Sequence, residues 1–109
     1  MSGDYILKRS GEQYMFNLRA GNYQVILSSQ RYTSKSAAQN GIASVQKSSP
    51  DDARYKRLKA KDGSEYFNLT AGNGEIIGTS EMYKSASARD KGIESVKING
   101  PITTVKDQT

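Results

Sequence analysis

This chain of 109 residues contains neither cysteine nor histidine. The first absence excludes disulfides, thiol nucleophiles and thiolate metal sites. The second removes the usual general base and the commonest metal ligand. A metal would have only carboxylate or carbonyl oxygens to bind, and Asp51-Asp52 is the sole adjacent acidic pair. That pair follows Pro50 without the Asp-x-Asp-x-Asp-Gly pattern of a calcium loop, so it reads as a solvated turn. Serines are plentiful, but without histidine or cysteine they cannot form a hydrolytic triad. Ser34-Lys35 and Lys84-Ser85 stand at helix entries, where a cap beside a solvated charge is the simpler reading than a Ser-Lys catalytic pair. Ala71-Gly72-Asn73-Gly74-Glu75 is not a phosphate loop, because no Gly-Lys-Ser/Thr follows it. Long apolar runs are also missing: nothing approaches the ~20 residues of a membrane span. Met1-Ser2-Gly3-Asp4 has neither the basic start nor the apolar stretch of a secretory signal. These absences predict a cytoplasmic, non-enzymatic chain with no catalytic residue, no cofactor, no metal and no membrane partner.

What the chain does have, it has twice. Phe16-Asn17-Leu18-Arg19-Ala20-Gly21-Asn22 returns as Phe67-Asn68-Leu69-Thr70-Ala71-Gly72-Asn73. Ile26, Ser29, Tyr32, Ser34, Ser36, Ala37, Gly41, Ile42, Ser44 and Val45 recur, without a gap, as Ile77, Ser80, Tyr83, Ser85, Ser87, Ala88, Gly92, Ile93, Ser95 and Val96. About half the positions between Phe16 and Val45 are therefore identical in the second copy, which marks an internal repeat. The hydrophobic fraction is only 35%, yet the apolar residues are ordered, so the chain reads as folded. Roughly 50 residues per copy would bury too little surface for independent stability, which favours one domain over 1–109 with a shared core. The repeats span about 4–50 and about 51–107.

Each copy reads as three strands and a helix. Tyr5 to Arg9, Tyr14 to Ala20 and Gln24 to Ser28 are strands of the first, with Phe16, Leu18 and Ala20 on one face and Met15, Asn17 and Arg19 on the other. In the second, Asp62-Gly63 and Asn73-Gly74 signal two-residue hairpins. Phe67, Leu69 and Ala71 alternate with Tyr66, Asn68 and Thr70, and Glu75 to Thr79 closes the meander. Ala38, Ile42 and Val45, flanked by Ala37 and Gly41, form the apolar stripe of a helix, which Ala88, Gly92, Ile93 and Val96 repeat. Ser34 and Ser85 are the favoured N-caps, ahead of Ser36 and Ser87. Gly41 and Gly92 are poor helix formers, so their recurrence on the apolar side suggests close approach of helix to sheet. Tyr32 and Tyr83 read as packing residues. Pro50 matches Pro101, and Leu7-Lys8 matches Leu58-Lys59. The segment Asp52 to Lys61 thus both ends copy one and begins copy two, functions that are split between the chain's two ends in the other half. The symmetric solution sends the tail, Ile102 to Asp107, across to pair in the other half's part of the sheet, with Ile102, Thr103, Thr104 and Val105 suited to a strand.

The doubled Asn-Leu-x-Ala-Gly-Asn, Ile-Ile-x-x-Ser-x-x-Tyr and Gly-Ile-x-Ser-Val-Lys pattern resembles the YegP-like family of small bacterial proteins. Phe67 to Lys97 carries its fullest form; the first copy has Tyr23 in place of the usual Gly, Val25 at the first Ile and Gln46 at the Lys. The resemblance covers essentially the whole chain. It implies tandem β-β-β-α-β units in one sheet with exchanged terminal strands, and implies no activity or site residues. The expected fold is therefore α+β: one antiparallel sheet, both helices on one face, pseudo-twofold symmetric.

The net charge of +5 biases the chain modestly toward anionic partners. Arg54, Lys56, Arg57, Lys59 and Lys61 crowd into eight residues. They read either as an exposed edge strand, on which lysines discourage aggregation, or as a phosphate patch. If the helices cover one sheet face, the other displays Asn17, Arg19, Tyr66, Asn68 and Thr70 beside Arg54 and Lys56. Such a face, or an exposed edge, suits a protein-interaction module; bases stacked on it with phosphates on the basic strand would make a nucleic-acid site. A monomer is expected, because the second copy supplies the partner that a lone unit would need.

Overall fold

A computed structural model describes residues 3–109. Seven strands and two helices follow in chain order: β1 Asp4–Ser10, β2 Gln13–Arg19, β3 Val25–Ser28, α1 Lys35–Ser48, a 3-10 turn Asp52–Arg54, β4 Tyr55–Lys59, β5 Glu65–Thr70, β6 Ile76–Thr79, α2 Ala86–Asn99 and β7 Val105–Asp107. They form one sheet in the order β4-β5-β6-β3-β2-β1-β7. Both helices lie over the face bearing Phe16, Leu18, Phe67 and Leu69, and all four of these side chains are fully buried in a single core with Ile42, Val45, Ile93 and Val96.

The helices begin where the serines predict. Ser34 and Ser85 adopt extended backbone and their hydroxyls accept from the amides of Ala37 and Ala88. Gly41 and Gly92 do admit a close neighbour, though it is a tyrosine ring and not the sheet backbone. A Cβ at either would collide with the hydroxyl of Tyr32 or Tyr83, the residues that bridge to Tyr14 and Glu65. Fold symmetry is plainest at the helix ends. The Tyr55 hydroxyl donates to the Ser49 carbonyl at 2.7 Å, and the Tyr5 hydroxyl donates to the Gly100 carbonyl at 2.6 Å. Each tyrosine thus satisfies an orphan carbonyl at the close of a helix. Burial raises both phenol pKa values above the ordinary range for tyrosine.

Two details of the sheet depart from the sequence reading. First, the Asp-Gly and Asn-Gly turns are three-residue loops. Ala60 pairs with Ser64 and Ala71 with Glu75, with Gly63 and Gly74 at φ 90° and 87° in the bulge position. The β1–β2 turn, in which Ser10 pairs with Gln13, is one residue shorter. That difference slips the register of β4 by one relative to β1. Tyr5 and Tyr55 face Leu18 and Leu69, so Leu7 corresponds to Arg57, and Lys8 to Leu58. The match of Leu7-Lys8 with Leu58-Lys59 is therefore corrected: a one-residue slip exchanges the faces of the strand. Second, the sheet is mixed. The tail does cross to the other half, but β7 runs parallel to β1, pairing Tyr5 with Val105 and Leu7 with Asp107. The cause is the symmetry itself. Chain leaving α2 heads in the direction in which chain leaving α1 enters β4; β1 already fills that lane, so the tail takes the adjacent one in the same sense.

Twin residues meet on the pseudo-twofold axis, and there the copies differ. Leu27 and its counterpart Gly78 face each other, and a Cβ on Gly78 would lie 2.6 Å from the Leu27 side chain. Ser49 likewise faces Gly100, where a Cβ would collide with its hydroxyl. We expect Tyr5→Phe and Tyr55→Phe each to cost about 1–2 kcal/mol in urea melts, the effect of one buried carbonyl left unpaired. Gly78→Ala should cost about 1–3 kcal/mol by overpacking. Combined with Leu27→Ala it should cost less than the sum of the two single changes.

Candidate functional site

The seven residues singled out from the sequence do not form one receptive surface. Asn17 and Asn68 lie on the face away from the helices, in a row that the strand register carries across the sheet: Lys56, Asn68, Thr79, Ser28, Asn17, Ile6, Lys106. Their polar groups are engaged within that row. The Asn17 amide donates to the Ser28 hydroxyl at 2.9 Å, and Asn68 accepts from the Thr79 hydroxyl at 2.9 Å. Asn17 is buried and Asn68 half-buried. Thr70 is also buried, its hydroxyl donating to the Arg54 carbonyl. Tyr66 is half-buried beside Leu58.

Arg19 is held in a fork. Its guanidinium donates to both oxygens of Asp4, at 2.7 and 2.8 Å, and Lys106 reaches the same carboxylate at 3.2 Å. The hydrogen bond from Arg19 first, then Lys106, holds the Asp4 carboxyl below its ordinary value despite burial that opposes ionisation. Tyr23 lies over Arg19, its ring centroid 5.0 Å from the guanidinium carbon. Tyr23 occupies the position that Gly74 holds in the other copy and has φ 66°, an uncommon conformation for a bulky side chain. The ring thereby lies near both cations of the cluster, 5.0 Å from Arg19 and 5.8 Å from Lys106.

The basic strand is less free than its composition suggests. Arg54 contacts Asp51, Arg57 contacts Asp52 and Asp90, and Lys59 contacts Glu65. Among the described residues only Lys56 and Lys61 of the five cations stand outside ion pairs. Asp51 and Asp52 form the expected turn: Asp51 caps it by accepting from the Ala53 amide, and Asp52 pairs with Lys97 and Arg57. Ser34 and Ser85 are occupied as caps, and Lys35 pairs with Asp107.

The groups left available lie on the rim of the sheet. β4 has β5 on one side and, among the described residues, no strand on the other. Even-numbered residues face β5, as the Ala60 amide shows by donating to Ser64, so Tyr55, Arg57 and Lys59 point their backbone groups outward. The Tyr55 amide is already bonded to the Asp52 carbonyl; the outward groups of Arg57 and Lys59 have no strand partner. Two clefts flank this rim. One of ≈450 Å³ includes Lys47, Asp51, Arg54 and Asn73; the other, of ≈700 Å³, lies between Arg57 and the α2 residues Ser87, Asp90, Lys91 and Glu94. The density of cations on 54–61 signalled an edge strand in the sequence. The outward amides did not show there, because they depend on the slipped register.

The family model described as Domain of unknown function (DUF1508) matches residues 10–55 and again 60–107. The chain belongs to this family. A UPF0339 protein of Bordetella pertussis is 68% identical over 109 residues, covering all of this chain and 98% of its own length. The UPF0339 protein YegP of Escherichia coli K12 is 50% identical over 110 residues, with both chains fully covered. Two solution NMR structures have the same fold. The UPF0339 protein of Shewanella oneidensis superposes with a TM-score of 0.92 at 56% identity, over 98% of this chain and 92% of that one. E. coli YegP superposes with a TM-score of 0.94 at 50% identity, over 100% and 95%. The family model thus matches twice in tandem, the first match running on to residue 55 and the second starting at 60, and no helix among the described residues is long and apolar enough to cross a membrane.

The Asp4 cluster generates a pH prediction. A lowered native pKa means that the contribution of Asp4 is complete above its unfolded value of about 3.9 and is lost as pH falls through the native value. Asp4→Asn should lower stability at pH 7 and flatten its decline in acid, measured as urea midpoints between pH 2 and pH 7.

Proposed function

We propose that this protein is a non-catalytic binding module of the cytoplasm that acts, as a monomer, through protein-protein interaction. The observation that carries this reading is the unpaired outer edge of β4, set against the same edge of β1, which the chain covers with its own tail. Exposed strand edges recognise extended segments through backbone hydrogen bonds, with neighbouring side chains supplying selectivity. The alternative, nucleic-acid binding through the open sheet face and strand 54–61, draws on Lys56, Lys61 and Tyr66. It is weakened by the engagement of Asn17, Asn68 and Arg19 within the sheet.

Salt dependence separates the two. With Lys56 and Lys61 as the only cations of strand 54–61 outside ion pairs, an affinity for duplex DNA would change roughly tenfold between 50 and 200 mM salt, against about 10³–10⁵ for a protein built on six to ten phosphate contacts. We expect no measurable binding of single-stranded RNA or duplex DNA at physiological salt. A photoreactive side chain placed at Lys59 should crosslink a protein in cells, whereas one at Tyr66 should not. Tight, steeply salt-dependent nucleic-acid binding, abolished by substituting Arg19 and the cations of 54–61, would overturn the proposal.

A further inference from the structure

We infer that the β4 edge takes an acidic extended segment of another protein, laid parallel to β4 as β7 lies on β1; the inference rests on the interaction reading above and names its partner chemistry. The β7–β1 pair is the template. There the Tyr5 amide donates to the Thr104 carbonyl at 2.9 Å and the Gln108 amide donates to the Leu7 carbonyl at 2.8 Å. The corresponding outward positions are Tyr55, Arg57 and Lys59. Since the Tyr55 amide is taken by Asp52, docking begins at the Tyr55 carbonyl and continues along Arg57 and Lys59. That length accommodates about three residues at ~3.3 Å each.

Charge selects the occupant. On β1, the open-face residue of the tail is Lys106, placed beside Ile6 and bonded to Asp4. Beside β4 the counterpart of Ile6 is Lys56, and the register place of Asp4 falls to Arg54. The tail of a second copy would bring Lys106 against Lys56 and Arg54, so like charge disfavours self-association on this edge. A carboxylate at the same position meets a lysine that is outside any ion pair. The next residue along points to the helix side, into the ≈700 Å³ cleft, where Arg57 and Lys91 stand with Asp90 and Glu94. Beyond it Lys59 is paired with Glu65, and Lys61, in the loop that follows β4, adds positive charge outside ion pairs.

The test is an amide NMR titration of the full chain with three blocked peptides: threonine alternating with glutamate, threonine alternating with lysine, and the chain's own residues 102–109. The glutamate peptide should shift the Arg57 and Lys59 amides saturably, and more strongly at 50 than at 200 mM salt. Lys59→Pro removes an outward amide that bonds to no strand and should weaken binding at least tenfold. Lys56→Glu, which leaves the backbone intact, should invert the preference between glutamate and lysine peptides even if the proline variant fails to fold. The inference is overturned by shifts confined to the open face around Asn17 and Asn68, by equal binding of the lysine peptide, by tighter binding of the 102–109 peptide, or by no shift at millimolar peptide. Any of these, together with a protein crosslinked through another surface, would leave the interaction module standing without its acidic partner. Nucleic-acid binding in the salt titration would remove the module itself.

Discussion

The constraint on which this structure depends is that neither half can close its own core. The seam between the halves of the sheet is slight: β3 and β6 pair through Ser28 and Thr79 alone. Cohesion across the seam comes from the helices, each of which packs on strands of both copies, α1 on β2 and β6 and α2 on β5 and β3. A half of roughly 50 residues would leave much of Phe16, Leu18, Ile42 and Val45, or their twins, in water. The covering of one copy's strands by the other's helix gathers fifteen buried apolar residues into one core among the described residues.

Sharing a core through a pseudo-axis imposes a second condition, since residues on the axis confront their own counterparts. Ser28 and Thr79 meet as small side chains, and the chain resolves two other confrontations by setting a side chain against a glycine, Leu27 with Gly78 and Ser49 with Gly100. Away from the axis the copies diverge by compensated exchange. Tyr14 and Ala38 in the first copy are replaced by Glu65 and Arg89 in the second, which pair at 2.9 Å. Tandem duplication permits such divergence because each copy tolerates changes that its twin need not repeat.

Much of this was legible in the sequence. The repeat register located the strands, the Ser34 and Ser85 caps, the shared core and the crossing of the tail. What was not legible has physical causes. The three-residue loop at 61–63 differs from the two-residue turn at Gly11-Glu12 by one residue, and that count decides which side of β4 each cation occupies; Asp-Gly is compatible with either loop. The parallel sense of β7 follows from which lane was already filled, a property of the assembled sheet. Asn17, Asn68 and Arg19 looked available because alternation assigns a face and says nothing of whether neighbours on that face satisfy one another. Asp4, adjacent to the first strand in the reading, gave no sign that it would meet Arg19 and Lys106 together.

The placement of β7 has one more consequence. Head-to-tail polymers of sheet proteins grow when every subunit offers both a free donor segment and a bare acceptor rim. Here the donor is consumed internally: β7 is laid on β1, so neither bare rim, the outer edge of β4 or that of the three-residue β7, is matched by a free strand of another copy. The last strand thereby acts as a cap drawn from the chain itself: held on β1, it is not available to extend the sheet of another copy.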